Sequence, residues 1–268
     1  MKLSAEGALV LVATGLAYVG VLSSAEFFAN RHLVAPGGLL GWDVLQTRTR
    51  VTTRLASTPW TGWIGEPTGW NVLCVLRGLA AVLALPITGA MTTVSGVALT
   101  VLGLTTLLIM YRAMYGLDGS DQLVAVLALA AGASILLDSD AAVAAFCWFA
   151  ASLVTIAYVT AGMTKLLSAT WRRGEALALV MRTEVYGNPS LAIHAQGAIG
   201  RLATRAVVVI ELAFPLAFTG STLLTLTLLG VLTVFHITSA AVMGLNCFLP
   251  AYVCTFGCVF WCSQQLWG

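Results

Sequence analysis

Apolar residues along this chain run in long blocks separated by short polar breaks, occupying roughly residues 7–28, 70–87, 92–115, 122–137, 141–167, 203–218, 222–245 and 249–266. A helix that crosses a bilayer needs about 20 mostly apolar residues, because the hydrocarbon core is about 30 Å thick. The pattern therefore predicts an all-α polytopic membrane protein, a bundle of about eight transmembrane helices in one membrane domain over residues 1–268. The second and fourth blocks are short for a span, which implies a tilt, a break or an extension at their ends. The first block resembles the apolar core of a signal peptide between Ala8 and Gly20. Only Lys2 precedes it as a positive side chain, however, and the block continues to Glu26 without a cleavage site, so we read it as a mature helix. Two segments, about 30–69 and 168–201, break the pattern. The first brings Arg31, Arg48, Arg50 and Arg54 before Trp60, Trp63 and Trp70; the second holds Trp171, Arg172, Arg173, Glu175, Arg182 and Glu184. Tryptophan and arginine suit the headgroup layer, where an amphipathic ring and a snorkelling guanidinium both find a place. Residues 174–181 read as a short helix lying in that interface.

Composition supports the same class. The chain is 59% hydrophobic and 9% charged, with a mean hydropathy of +0.93. A soluble domain carries about 25% charged residues on its surface. These values exclude a soluble globular enzyme of the dinucleotide-binding kind and a secreted disulfide scaffold. With no basic patch, they also exclude nucleic acid as a partner. In the eight-span map twelve of the 13 positive residues fall on the side of the 30–69 segment, with Lys2 opposite. The positive-inside rule then puts the N-terminus outside.

Ionisable residues inside the apolar blocks carry the candidate chemistry, since such a group normally faces a bundle interior, a cavity or a partner. They are Glu26, Arg77, Arg112, Lys165, Glu211 and His236. Arg77 and Arg112 stand near span ends and read as snorkelling anchors, and Lys165 taken alone reads the same way. Glu211 and His236 lie deeper, where a structural ion pair or hydrogen bond competes with a functional role. Pro215 frees the Glu211 carbonyl from its helical bond and predicts a kink beside that carboxylate. A Lys165, Glu211 and His236 set around one cavity could move protons, with the lysine as general base. Residues 111–122 read as the turn between the third and fourth blocks, with helix-breaking Gly116 and Gly119 and capping Asp118 or Ser120, a capped hairpin in preference to an active-site loop. Cys247, Cys254, Cys258 and Cys262 stand at offsets 0, 7, 11 and 15. At 100° per residue these fall within about 80° of one another, a single stripe on one helix. The spacing is not CxxC, and it names no metal-ligand set. Small residues lining a helix contact and a reactive thiol stripe are both open readings.

Several of these stretches together resemble the HTTM membrane family, which includes the vitamin K-dependent gamma-carboxylases and small bacterial proteins of the SdpB type. The resemblance runs through Tyr115-Gly116 with Asp118 and Asp121-Gln122, then Ala161-Gly162-Met163-Thr164-Lys165-Leu166 and Trp171-Arg172-Arg173-Gly174-Glu175-Ala176. It continues through Glu211-Leu212-Ala213-Phe214-Pro215-Leu216, Phe235-His236 and Asn246-Cys247-Phe248. It implies that Lys165 matches the lysine proposed to deprotonate vitamin K hydroquinone. Glu211 and His236 then fall in motifs near the same pocket. A reduced quinone, menaquinone or vitamin K-like, becomes the expected cofactor. The resemblance places the site on the non-cytoplasmic side of a bacterial cytoplasmic membrane, against the charge-based orientation, which long loops weaken. The chain departs from the carboxylases by lacking a histidine in residues 111–115, and residues 1–268 hold no counterpart of their large luminal domain. The length is similar to the SdpB type. The expected function is thus a membrane enzyme or enzyme subunit acting in maturation of a small secreted peptide with a separate maturation protein. The alternative is a non-catalytic transport, immunity or scaffold subunit of such a complex.

Overall fold

The computed structural model describes residues 3–38, 40–45, 59–86, 89–113 and 119–267. Every regular element among them is helical. The helices are α1 (Ala5–Ala29), α2 (Trp42–Leu45), α3 (Pro59–Gly65), α4 (Pro67–Leu83), α5 (Thr93–Ala113), α6 (Gly119–Leu136) and α7 (Asp140–Leu167). They continue with α8 (Ala169–Arg173), α9 (Ala176–Val180), α10 (Pro189–Ala192), α11 (Ala198–Leu212), α12 (Thr222–Met243), α13 (Phe248–Val253) and α14 (Phe256–Trp267). Five of these, α1, α5, α6, α7 and α12, are long and apolar enough to cross a membrane. Large apolar side chains such as Leu79, Val94, Ile156 and Val234 stand exposed on the helices, which suits acyl chains rather than water. The protein is a multi-pass helical membrane protein.

The expected count of about eight full-length spans is not what the helices give. Block 70–87 forms the 17-residue α4. Block 203–218 ends as an α-helix at Leu212 and continues as a 3-10 turn over Phe214–Phe218. Pro215 has no N–H to offer the Glu211 carbonyl, and the bonding tightens so that Leu216 N donates to Ala213 O at 2.9 Å. Block 249–266 divides into α13 and α14. At the division Thr255 N donates to Tyr252 O at 3.0 Å, and the Thr255 hydroxyl donates to the same carbonyl at 2.6 Å. A side chain that captures a helix carbonyl in this way competes with the regular ladder.

The chain forms two compact units, one of Met1–Ala8 with Cys147–Gly268 and the other of Leu9–Phe146. In the second unit α5 and α6 pack antiparallel along small residues. A Cβ at Gly132 would stand 2.8 Å from Gly96 O, and one at Gly103 would stand 2.6 Å from Leu129. Helices in lipid associate through such close contacts, because apolar burial alone drives them little there. Trp70, Leu73, Cys74, Ile109 and Ala113 make a core with Val34 and Ile64 of the 30–69 segment.

Arg77 and Arg112 belong to this unit, and neither is a snorkelling anchor. Both are fully buried. Arg77 stands 3.9 Å from the Asp121 carboxylate. Arg112 donates through Nε to Gly65 O at 3.1 Å, through Nη1 to Leu40 O at 2.9 Å and through Nη2 to Val34 O at 3.3 Å. The indoles of Trp42 and Trp70 cover its guanidinium. A planar fork with five donors suits three carbonyls that no helix satisfies. Arg112 therefore ties the chain at Val34, Leu40 and Gly65 onto α5 instead of reaching for headgroups. Glu26 sits exposed near the end of α1. Residues 114–118, which carry most of the expected turn with Tyr115, Gly116 and Asp118, lie outside the described residues, as do Arg48, Arg50 and Arg54.

Candidate functional site

The other unit carries the site. Lys165 is two residues from the end of α7, and Glu211 is one residue from the end of α11. What brings these ends together is Gly162, one turn before Lys165. A Cβ at Gly162 would lie 2.9 Å from Leu212 Cγ and 3.2 Å from Glu211 Cβ, so the two helices touch where any larger residue would hold them apart. The Lys165 ammonium then donates to both oxygens of Glu211, at 2.7 Å each. The Glu211 side chain is almost sealed, while the lysine keeps 21% of its side-chain surface open. Substituting Gly162 with leucine is expected to cost about 1–3 kcal/mol through overpacking. It should also pull the ammonium off the carboxylate, read as a lowered Tm in detergent, while Gly162→Ala is milder because the Leu212 side chain can move.

The segment following α7 covers this pair. Gly174 caps α8 in the left-handed region at φ +81°, and a Cβ there would meet the Arg201 backbone at 3.0 Å. Both constraints call for glycine. Arg205 of α11 donates from Nε to the Arg172 carbonyl at 3.1 Å, satisfying an orphan carbonyl at the end of α8. With α8 fixed in this way, the Trp171 ring lies 5.3 Å from Lys165 Nζ as a cation–π partner. Ala178, Met181, Ala192 and Ala195 pack together against Val242 and Met243 at the end of α12. A helix therefore does lie within the expected 174–181 stretch, as α9.

His236 comes from the middle of α12 and is buried. Its Nε2 stands 2.6 Å from the hydroxyl of Tyr158 on α7, and the ring stacks on Tyr252 of α13 with centroids 5.0 Å apart. Its Nδ1 is buried and has no hydrogen-bond partner among the described residues. Tyr158 in turn packs on Phe214 at a centroid distance of 4.5 Å.

These groups share one cavity of about 660 Å³, lined among others by Tyr158, Lys165, Trp171, Glu211, His236 and Tyr252. Most of the remaining wall is aliphatic, from residues such as Val180, Ile199, Val207 and Val242. The three residues singled out from the sequence thus meet at one place. Tyr158 and Trp171 are additions. Tyr158 gave no signal as a lone aromatic in an apolar run, and Trp171 read as an interfacial anchor.

The cysteines do not form the single stripe expected of one helix. The division at Thr255 leaves Cys247 and Cys254 at the two ends of α13, and Cys258 and Cys262 on α14. All are free thiols, and Cys254, Cys258 and Cys262 are buried. Trp148 of α7 meets Trp261 of α14 edge-on, with ring centroids 6.2 Å apart. This is a packed joint between α7 and α14, and no group of three or more His, Cys, Asp or Glu side chains is placed to hold a metal ion among the described residues. The comparisons with known proteins add no relative to this geometry: no protein-family model, curated protein or solved structure matches the chain.

Proposed function

We propose that this chain is a membrane enzyme, or the membrane subunit of one, of the HTTM type. Its cavity takes a reduced quinone-like lipid, Lys165 serves as base, and the product chemistry serves maturation of a small secreted peptide with a separate soluble partner. One observation carries the reading. Lys165, Glu211 and His236, from three different helices, converge on one largely apolar cavity of about 660 Å³. That volume falls within the range of about 300–1,000 Å³ usual for ligand sites. Ionisable groups held in an apolar bundle are costly unless they serve a pathway or a partner. The aliphatic walls suit an isoprenoid or acyl tail, and the ion pair supplies the polar end. In the same reading, α4, α11 and the α13–α14 pair are immersed in the bilayer as interrupted spans, bringing the membrane crossings to about eight.

The geometry gives Lys165 a route to act as base. As an ammonium it is an acid, and it becomes a base only by giving up a proton. Glu211 stands at 2.7 Å through both oxygens, close enough to take that proton, after which the amine Nζ can accept one from a ligand hydroxyl. A reduced quinone bound there would supply such a hydroxyl and the reducing equivalents for reaction with oxygen.

The test is oxygen uptake by the purified protein in lipid with reduced menaquinone. Uptake by the wild type that falls at least about a hundredfold in Lys165→Ala, within the range general bases contribute, supports the proposal. Uptake equal in the two proteins overturns the role of Lys165. No uptake from the protein together with its peptide and soluble partner leaves the non-catalytic transport, immunity or scaffold reading in its place.

A further inference from the structure

The His236–Tyr158 pair points beyond the proton chemistry of Lys165. The two residues form one hydrogen bond, at 2.6 Å between the Tyr158 hydroxyl and His236 Nε2, and both side chains are buried. A phenol has one proton to donate. Among the described residues the acceptor at the Tyr158 hydroxyl is that nitrogen, and a buried hydroxyl proton left without an acceptor is unfavourable by about 1–3 kcal/mol. Tyr158 therefore donates, Nε2 accepts, and in the neutral imidazole the ring proton sits on Nδ1. Nδ1–H is then a buried donor without an acceptor among the described residues, on a ring that lines the cavity and is 3% exposed. Native structures rarely leave such a donor unmatched.

The rest of the cavity restricts what can match it. The Lys165 ammonium is engaged by both Glu211 oxygens, so the pair cancels its own charge. A ligand with a net charge would have to hold that charge in a largely apolar cavity where, among the described lining residues, the one further basic side chain is the exposed His194, which is unfavourable. The aliphatic wall asks for a hydrocarbon tail. We propose that the cavity binds an uncharged amphiphile bearing a carbonyl or ester oxygen, and that His236, held in one tautomer by Tyr158, receives that oxygen through Nδ1–H. Tyr158 is a positioning residue in this scheme, and His236 a specificity-determining one. The proposal rests on the reading of the cavity as a lipid site but needs no redox chemistry.

The chain has 3 histidines, so ¹⁵N-histidine labelling in nanodiscs resolves His236 directly. Three probes of one chain length divide the possibilities: methyl dodecanoate, dodecane and dodecanoate. Wild-type His236 is expected as the Nδ1–H tautomer. Methyl dodecanoate should shift its Nδ1 resonance in a saturable way, whereas dodecane perturbs the Trp171 indole resonance, assigned by its absence in Trp171→Phe, without that shift, and dodecanoate binds about tenfold more weakly than the ester. Tyr158→Phe should leave a mixture of tautomers and weaken the ester about fivefold, the weight of one hydrogen bond. A wild-type Nε2–H tautomer overturns the proposal. So does equal binding of ester and dodecane, or preference for the carboxylate, and either of these leaves the lipid site standing. If no probe perturbs Trp171 or His236, the cavity is not a lipid site and both readings fall. Ester binding without oxygen uptake removes the quinone chemistry alone.

Discussion

Replacing Arg112 with leucine is expected to detach the chain around Val34, Leu40 and Gly65 from α5, with a loss of about 3 kcal/mol or more. The guanidinium bonds three carbonyls from three separate stretches, Val34, Leu40 and Gly65. Each carbonyl left unmatched in a buried place costs about 1–3 kcal/mol. Leucine also removes the cation from between the Trp42 and Trp70 rings. Lysine at the same place keeps the charge but has no planar fork, so it satisfies fewer of the three acceptors and falls between the two proteins. Hydrogen exchange at residues 31–45 and 62–66 should rise sharply in Arg112→Leu, and the Tm in detergent should fall. Protection equal to wild type would show that the segment is held by its tryptophans alone.

The second large effect belongs to the buried ion pair, and its two halves should behave unequally. Removing one partner of such a pair is unfavourable by about 3–5 kcal/mol when the other is left stranded. Lys165→Met strands the Glu211 carboxylate, whose side chain is 6% exposed, and should approach that full figure. Glu211→Leu strands a lysine with 21% of its side chain open, which can swing its ammonium toward water, so a loss of about 1–2 kcal/mol is expected. The double variant, Lys165→Met with Glu211→Leu, should recover most of the wild-type stability, because no charge remains to strand. It should remain without activity. A double-mutant cycle in denaturant with a parallel assay separates the two roles of the pair. A double variant less stable than either single one would mean that the pair stabilises the fold outright.

Part of this site was legible in the sequence. Glu211 and His236 stood out because an ionisable side chain in an apolar run needs a reason, and Pro215 announced the end of α11 because it has no N–H to continue the ladder. The convergence with Lys165 was not legible. It depends on Gly162, whose missing side chain lets α7 and α11 touch, and a glycine in an apolar run looks the same whether it faces lipid or another helix. Tyr158 escaped notice for a related reason, since only its contact with His236 distinguishes it from other buried aromatics. Arg112 was misread because its partners are backbone carbonyls 47 to 78 positions away, and carbonyls leave no mark in a sequence. The cysteine offsets suggested one stripe because helical periodicity cannot register that the Thr255 hydroxyl captures the Tyr252 carbonyl.

The early end of α11 has a consequence for the lipid around it. Fifteen residues of regular helix reach about 22 Å at 1.5 Å each, well short of the roughly 30 Å of a hydrocarbon core. Ile199, Leu202 and Val209 on this helix are exposed apolar residues, against which acyl chains would lie if α11 is immersed in the bilayer as proposed above. Its arginines, Arg201 and Arg205, stand within its first eight residues. A bilayer accommodates a short apolar face by thinning locally or by letting flanking basic residues reach outward. On that reading the headgroup level would be drawn down along α11 toward Glu211. An amphiphile leaving the leaflet there would need to carry its polar end through fewer ångströms of hydrocarbon, and membranes of shorter acyl chains would suit the protein better than thick ones.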